Sequence, residues 1–390
     1  MLKCNTFAVS FLSFMVAKMK VYKTEIELND KQRFEYFKTI GVCRFMYNFY
    51  LQKNNEIKDR EDNNFMSDYD FITWFNKDFL PQNPEYKWVK EVSGKAVSRT
   101  LREAYLAYKR FFNGKGSHPK FKKKGRDACS VYFVRNHISH KIRCERHRIK
   151  IPVFGWCKIK EYGYLPLDGS IISGRITYKA NKFFISVVCN QDVFYKENNV
   201  NKGIGIDLGI KHFAICSDGA VYDLPDISKE EDRIKKINRT MCKQSKGSKN
   251  FLKNKIKLQK IYLKIQNTRN DAQNKIIESI INKKPKFITI EKLQVEEMLK
   301  NRILSHSLQK QSFYAFSQKL KNKCLENGIE LRQVSQYFPS SKTCSECGCI
   351  DRELQLKDRV FKCKECGASI DRDLNASINL RNCKSYEIII

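Results

Sequence analysis

Two C-x-x-C pairs, Cys344/Cys347 and Cys363/Cys366, stand near the end of the chain with fifteen residues between them. Four thiolates at this spacing are typical of structural zinc, and closing them on one ion folds the intervening residues into a ribbon of two knuckles. The glycines that follow each pair, Gly348 and Gly367, end those knuckles. Four sulfur ligands leave no position for water, so the site is structural and not catalytic. Two pairs in register argue against a redox reading of either, and Cys349 is left outside the tetrahedron. Most of the other cysteines (Cys4, Cys43, Cys129, Cys144, Cys189 and Cys242 among them) are scattered singly in an odd total of 15, which is no disulfide framework and implies a reducing compartment.

Directly after the ribbon come two acids, Asp371 and Asp373, in a chain with 74 Lys and Arg against 42 Asp and Glu and a formal net charge of +32. Two further carboxylates are embedded in apolar runs: Asp207 in GIGIDLGI and Glu291 at the end of FITIE. An ionised group at such a position is costly unless a metal or a partner compensates it. Taken singly, Asp207 reads as a turn cap and Glu291 as a helix N-terminal charge. Neighbouring parallel strands would instead bring the two side by side. The segment DRDLNASIN has the pattern of a helix start in which either aspartate could be the third acid; Asp371 suits the N-cap, leaving Asp373 in the first turn, free to face the sheet. Three converging carboxylates can hold two Mg²⁺ ions for phosphodiester hydrolysis.

The charge points to a polyanionic partner, nucleic acid first, and no apolar run reaches the roughly 20 residues of a spanning helix. A length of 390 residues predicts more than one domain. Residues 1–19, with the apolar stretch FAVSFLSFMV, are expected to be a disordered extension or an upstream start, because no cleavage site follows. A strand is expected at 21–29, then a helix from Lys31 to about Asn54 whose inner stripe is Phe34, Phe37, Ile40, Cys43, Met46, Tyr47 and Tyr50. A second helix, 95–112, has Arg99, Arg102 and Lys109 on its outer face and leads into a basic loop with Lys120, Lys122, Lys123 and Lys124, a pattern suited to phosphates or else a solvated charge run. Short strands between 130 and 190 read as a small β-barrel or sandwich. From Asn201 the order is strand, hairpin at Asp218-Gly219, a Lys-rich helical pair over 229–282, strand, a helix at 309–327 and strand, which is a mixed α/β sheet.

The set GIGIDLGI, FITIEKL, SQYFPSSKTCSECG, VFKCKECG and DRDLNASINL resembles the TnpB family, transposon-encoded relatives of type V CRISPR effectors, over essentially Lys20 to Leu380. The resemblance implies an α/β RNase H-like (RuvC-like) nuclease at 201–340 and 371–385 with a zinc ribbon inserted at 341–370. It also implies a wedge-type β-barrel at 20–30 and 115–200 carrying a helical recognition insertion at 31–114. It implies Asp207, Glu291 and Asp373 as the catalytic acids holding two Mg²⁺, and one structural Zn²⁺ on Cys344, Cys347, Cys363 and Cys366. The implied activity is RNA-guided cleavage of double-stranded DNA beside a short motif, by a monomer with a guide RNA from the transposon end. The implied location is the cytoplasm, or the nucleus in a eukaryotic relative. Two departures stand beside it: Asn274 where family members often carry His, and Phe313, Tyr314 and Phe316 in place of a tryptophan-centred pattern. The competing readings are a metal-dependent transposase or resolvase acting without a guide, and a nuclease-inactive RNA-guided regulator, the latter weakened by the complete triad.

Overall fold

The computed structural model describes residues 16–58, 65–125, 130–135, 142–167, 171–193, 201–294, 298, 300, 305–355 and 358–389. The expected N-terminal extension thus lies largely outside the described residues. The chain divides into two compact units, Ala17–Asp192 and Val193–Ile390.

The first unit opens on β1 (Val16–Glu27), which starts ahead of the expected strand at 21–29, and α1 (Asp30–Lys58). Asn29 and Gln32 begin this helix with reciprocal bonds: the Asn29 N–H donates to Gln32 Oε1 at 3.0 Å and the Gln32 N–H to Asn29 Oδ1 at 2.9 Å. Its inner stripe differs from the expected one. Tyr36, Thr39, Cys43, Met46, Tyr50 and Asn54 are buried, whereas Phe34 and Phe37 are exposed. The apolar count missed the polar members of the stripe. Gln32 is buried because its amide donates to the carbonyls of Phe154 and Trp156, both at 2.8 Å, and Asn54 because it bonds the backbone of Tyr50 and Met66.

Next come α2 (Asp68–Trp74) and α3 (Gly94–Phe112), the latter packed on α1 through Val97, Leu101, Ala104 and Tyr108. The remaining strands are β2 (Ser130–Val134), β3 (Arg143–Cys144), β4 (Arg148–Ile151), β5 (Gly155–Ile159), β6 (Ile171–Lys179) and β7 (Lys182–Val193). With β1 they make a seven-stranded sheet in the order β2-β6-β7-β1-β5-β4-β3. Alternate residues such as Ile149, Ile151, Cys157, Ile176, Ile185 and Val187 are buried, the period-two pattern of a sheet with one face on a core.

In the second unit, β8 (Ile204–Asp207), β9 (Ala214–Cys216), β10 (Val221–Tyr222), β11 (Phe287–Glu291) and β12 (Glu330–Val334) belong to a mixed six-stranded sheet. The order is β10-β9-β8-β11-β12-β15, where β15 is Glu387–Ile388. Strands β8, β11 and β12 run parallel, β9 and β10 form the hairpin turned by Gly219 at φ 86°, and β15 is antiparallel to β12. The parallel strands are covered on both faces, which is why GIGID and FITIE read as continuous apolar runs.

The Lys-rich pair is α4 (Ser228–Cys242) and α5 (Lys249–Ile281), the second capped by Ser248. The expected helix at 309–327 is broken into α6 (Ser305–Gln311) and α7 (Phe313–Glu326) at Ser312, whose φ is 52°. The break is held by α5: Arg269 donates to Ser312 Oγ at 2.8 Å and Gln273 to the Gln311 carbonyl at 2.9 Å. Ile276, Ile277 and Ile280 of α5 and Phe316 and Leu320 of α7 share a buried core with Ile204, Ile206, Ile288 and Ile290. Finally β13 (Val360–Lys362) and β14 (Ser369–Asp371) pair as a hairpin that runs straight into α8 (Arg372–Asn382).

Candidate active site and metal centre

The pleat decides where the acids go. Ile204 and Ile206 of β8 and Ile288 and Ile290 of β11 point into the helical core, so Gly205, Asp207, Thr289 and Glu291 face the opposite side. Helix α8 covers that side. It approaches β8 closely: a Cβ on Gly205 would lie 2.0 Å from the Ser377 carbonyl oxygen and 2.5 Å from the Arg381 nitrogen. The helix can come so near because glycine stands under it and because two of its own buried residues, Ala376 and Ser377, are small.

Asp207 and Glu291 are strand neighbours. The parallel register pairs Thr289 with Gly205 and Ile290 with Ile206, and Asp207 and Glu291 are the next residues along the two neighbouring strands. Asp371 caps α8, its Oδ1 accepting from the N–H groups of Asp373 and Leu374, both at 3.0 Å. Asp373 sits in the first turn, where Arg372 donates to its Oδ1 at 3.0 and 3.2 Å.

The electrostatics tie the three acids together. Burial first, then the charges of Asp373 and Glu291, push the Asp207 carboxyl up to about 7, while Arg372 partly offsets them. Burial alone pushes Glu291 up to about 7. Carboxylates crowded and desolvated in this way favour protons or a divalent cation, and their hard oxygen donors fit Mg²⁺.

In the ribbon, Cys344 Sγ lies 3.7 Å from Cys366 Sγ and Cys347 Sγ 3.5 Å from Cys363 Sγ, and all four sulfurs fall within 4.8 Å of one another. A zinc tetrahedron with Zn–S of about 2.3 Å has S···S edges of about 3.8 Å, so the donor set fits the ion. The two knuckles repeat one geometry. The Gly348 N–H donates to the Cys344 carbonyl and the Gly367 N–H to that of Cys363, with both glycines at positive φ (78° and 73°). The N–H groups of Cys366 and Glu365 lower the Cys363 thiol toward the thiolate a metal needs, while the crowding of the other sulfurs raises Cys347, so the cluster shares its protons until a cation displaces them.

The expected nucleic-acid residues lie in the first unit. Arg99 and Arg102 are on the outer face of α3 but engaged, with Glu103 at 3.8 Å and Asp68 at 3.0 Å. Lys109, Lys120, Lys123 and Lys124 are exposed. Lys122 is folded back: its backbone bonds both ends of the Asn48 amide, and its ammonium lies 4.0 Å from the centroid of Tyr47. Sequence reasoning missed Arg372, Asn375, Asn379 and Gly205. A glycine inside an apolar strand and two asparagines four apart inside a helix were the available signals.

A family model described as "Probable transposase" matches residues 186–302, and one described as "Cas12f1-like, TNB domain" matches 313–380. A third, described as "Helix-turn-helix domain", matches 15–61, where the described residues are a strand followed by a single 29-residue helix. The chain is 25% identical over 379 residues to an Escherichia coli (strain K12) protein named "Putative RNA-guided DNA endonuclease InsQ", covering 93% of this chain and 92% of that one. It is also 25% identical over 367 residues to a Streptomyces pristinaespiralis protein named "Putative RNA-guided DNA endonuclease", with 93% and 88% covered. Among solved structures its fold is similar to the protein in a cryo-EM structure of a Cas12f1-sgRNA-target DNA complex, with a TM-score of 0.59, 14% identity and coverage of 95% and 100%.

Proposed function

The chain belongs to the TnpB family, and from that membership and its acidic site we propose that it is an RNA-guided DNA endonuclease of a transposable element, cleaving phosphodiester bonds with divalent metal ions. The observation that carries the reading is the meeting of Asp207, Glu291 and the first turn of α8 on one face of the parallel strands. We read the mixed sheet of 201–340 with 371–385 as a RuvC-like nuclease interrupted by the zinc ribbon of 341–370. Residues 20–30 and 115–200 are read as the wedge-type barrel and 31–114 as its recognition insertion.

Asp207, Glu291 and Asp373 would hold two Mg²⁺ ions, whose chemistry is to activate water and stabilise the leaving oxygen. The protein's own contribution is to desolvate Asp207 and Glu291 at neighbouring strand ends and to hold Asp373 in the first turn of the helix that covers them. Arg372 anchors Asp373 through one oxygen, and Asp371 fixes the turn from which it projects. Burial raises Asp207 and Glu291 to about 7 in the metal-free site, so below that pH protons compete with the metal for these carboxylates and activity at limiting Mg²⁺ is expected to rise through neutrality.

The guide follows from charge and size. Direct reading of a long DNA sequence needs side-chain contacts at each base pair, more than this chain offers, whereas +32 suits a large RNA that supplies specificity by pairing. Arg99, Arg102, Lys109, Lys120, Lys122, Lys123 and Lys124 are assigned to phosphate contacts with target DNA, and the working state to one protein chain with one RNA. The test is purification of the protein with its RNA. Wild type should cut a site set by the guide segment, ribonuclease should abolish the cut, and Asp207→Ala should keep the RNA but not cleave. Site-specific cleavage by RNA-free protein at an undiminished rate would replace this reading with the unguided transposase.

A further inference from the structure

Asn375 and Asn379 lie on the face of α8 away from solvent, the first fully buried and the second 7% exposed. Buried asparagine in a helix interior is unfavourable unless its amide is satisfied. Here both amides reach out of the helix into the segment that enters the first knuckle. Asn375 Nδ2 donates to the Thr343 carbonyl at 2.6 Å, and its Oδ1 accepts from the Ser345 N–H at 2.9 Å. Asn379 Nδ2 donates to the same Thr343 carbonyl at 2.6 Å and to the Ser340 carbonyl at 2.8 Å. The bonded residues bracket Cys344.

The helix is thus gripped from three directions. Its N-terminus is continuous with β14, where Asp371 pairs with Val360 across the second hairpin and the Arg372 N–H donates to the Arg359 carbonyl at 2.9 Å. One side rests on Gly205 of β8, with no room for a Cβ. The remaining grip is the asparagine pair. A first helical turn has no i−4 partners for its N–H groups and frays unless held, so the position of Asp373 depends on these attachments.

We propose that Asn375 and Asn379 are positioning residues that clamp the Cys344 knuckle to α8 and so set Asp373 against Asp207 and Glu291. The ribbon then acts as a brace for the acidic site, a role that ligation alone does not require. This rests on the nuclease reading.

The test uses the full chain cleared of RNA, with Mn²⁺ as the probe, read by titration calorimetry and by the Mn²⁺ dependence of cleavage after the guide is restored. Asn375→Ala and Asn379→Ala should weaken Mn²⁺ binding at the acidic site, defined by its loss in Asp207→Ala, by about tenfold or more. The Mn²⁺ needed for half-maximal cleavage should rise in parallel and excess metal should restore the rate. Zinc content and RNA affinity should stay at the wild-type level. Asn375→Asp keeps the acceptor for Ser345 but sets a carboxylate oxygen against the Thr343 carbonyl in a buried place, so it should weaken Mn²⁺ binding at least as much as Asn375→Ala. Asn379→Ser, which removes one amide and leaves the Asn375 bonds in place, provides a milder variant if alanine impairs folding. Asn382→Ala, exposed near the end of the same helix, should behave as wild type. Unchanged Mn²⁺ affinity in the folded clamp variants would overturn the proposal, as would loss of zinc in step with loss of Mn²⁺. Absence of Mn²⁺ binding in wild type would overturn the nuclease reading first.

Discussion

Replacing Asp207 by Asn should stabilise the metal-free protein while abolishing cleavage. Burial and the charges of Asp373 and Glu291 raise this carboxyl from 3.8 to about 7, so the folded state holds its proton more tightly than the unfolded chain does. The contribution is therefore full below the unfolded value and is lost as pH rises toward the folded one. Three units at 1.36 kcal/mol each set an upper figure of about 4 kcal/mol, and relaxation around an ionised group reduces it to about 2–4 kcal/mol. An asparagine of nearly the same shape has no proton to lose. Urea unfolding of both proteins in Mg²⁺-free buffer should give stability differences that level off below about pH 3.8, grow as pH rises, and exceed that acid-limit difference by this amount at pH 8 in favour of the variant. Added Mg²⁺ should stabilise wild type by mass action and leave the variant almost unchanged. If Asp207→Asn is no more stable than wild type at pH 8, or the gap does not grow with pH, then Asp207 is not a desolvated carboxylate awaiting a cation.

Cys344→Ser or Cys366→Ser should release zinc and lower the melting temperature, because thiolate ligation contributes folding energy directly; full stability without zinc by elemental analysis would refute the ribbon. Gly205→Ala forces a methyl group onto the backbone of α8 and should destabilise by about 1–3 kcal/mol or displace the helix, measurable as an unfolding midpoint shift with reduced cleavage. Neutralising Lys109, Lys120, Lys123 and Lys124 together should weaken DNA binding for all sequences alike and flatten its salt dependence. Lys122→Ala should change the salt slope least, since Lys122 already faces Tyr47; an equal or larger effect would show that this lysine leaves the ring to meet phosphate.

Local chemistry made part of this legible before any fold was known. The cysteine spacing names a four-sulfur site because ligand geometry constrains the chain between the pairs. The apolar runs ending in Asp207 and Glu291 mark strands buried on both faces, and the Asp371 cap follows from the orphan N–H groups of a helix start. Periodicity also places α3, whose buried face is mostly apolar. It misplaced the first turns of α1, where Gln32 and Thr39 are buried while Phe34 and Phe37 are exposed, because an apolar count cannot see a polar side chain satisfied by distant backbone. The continuous helix at 309–327 failed for the same reason, the bonds that break it coming from Arg269 and Gln273, more than thirty residues away. That Asp207 and Glu291 come to neighbouring strand ends is a matter of register between strands about eighty residues apart. That Asn375 grips the knuckle of Cys344 is a matter of how one helix settles on Gly205. Spacing along the chain specifies ligand chemistry and local caps, whereas contacts between distant segments exist only once sheet, helix and ribbon pack together.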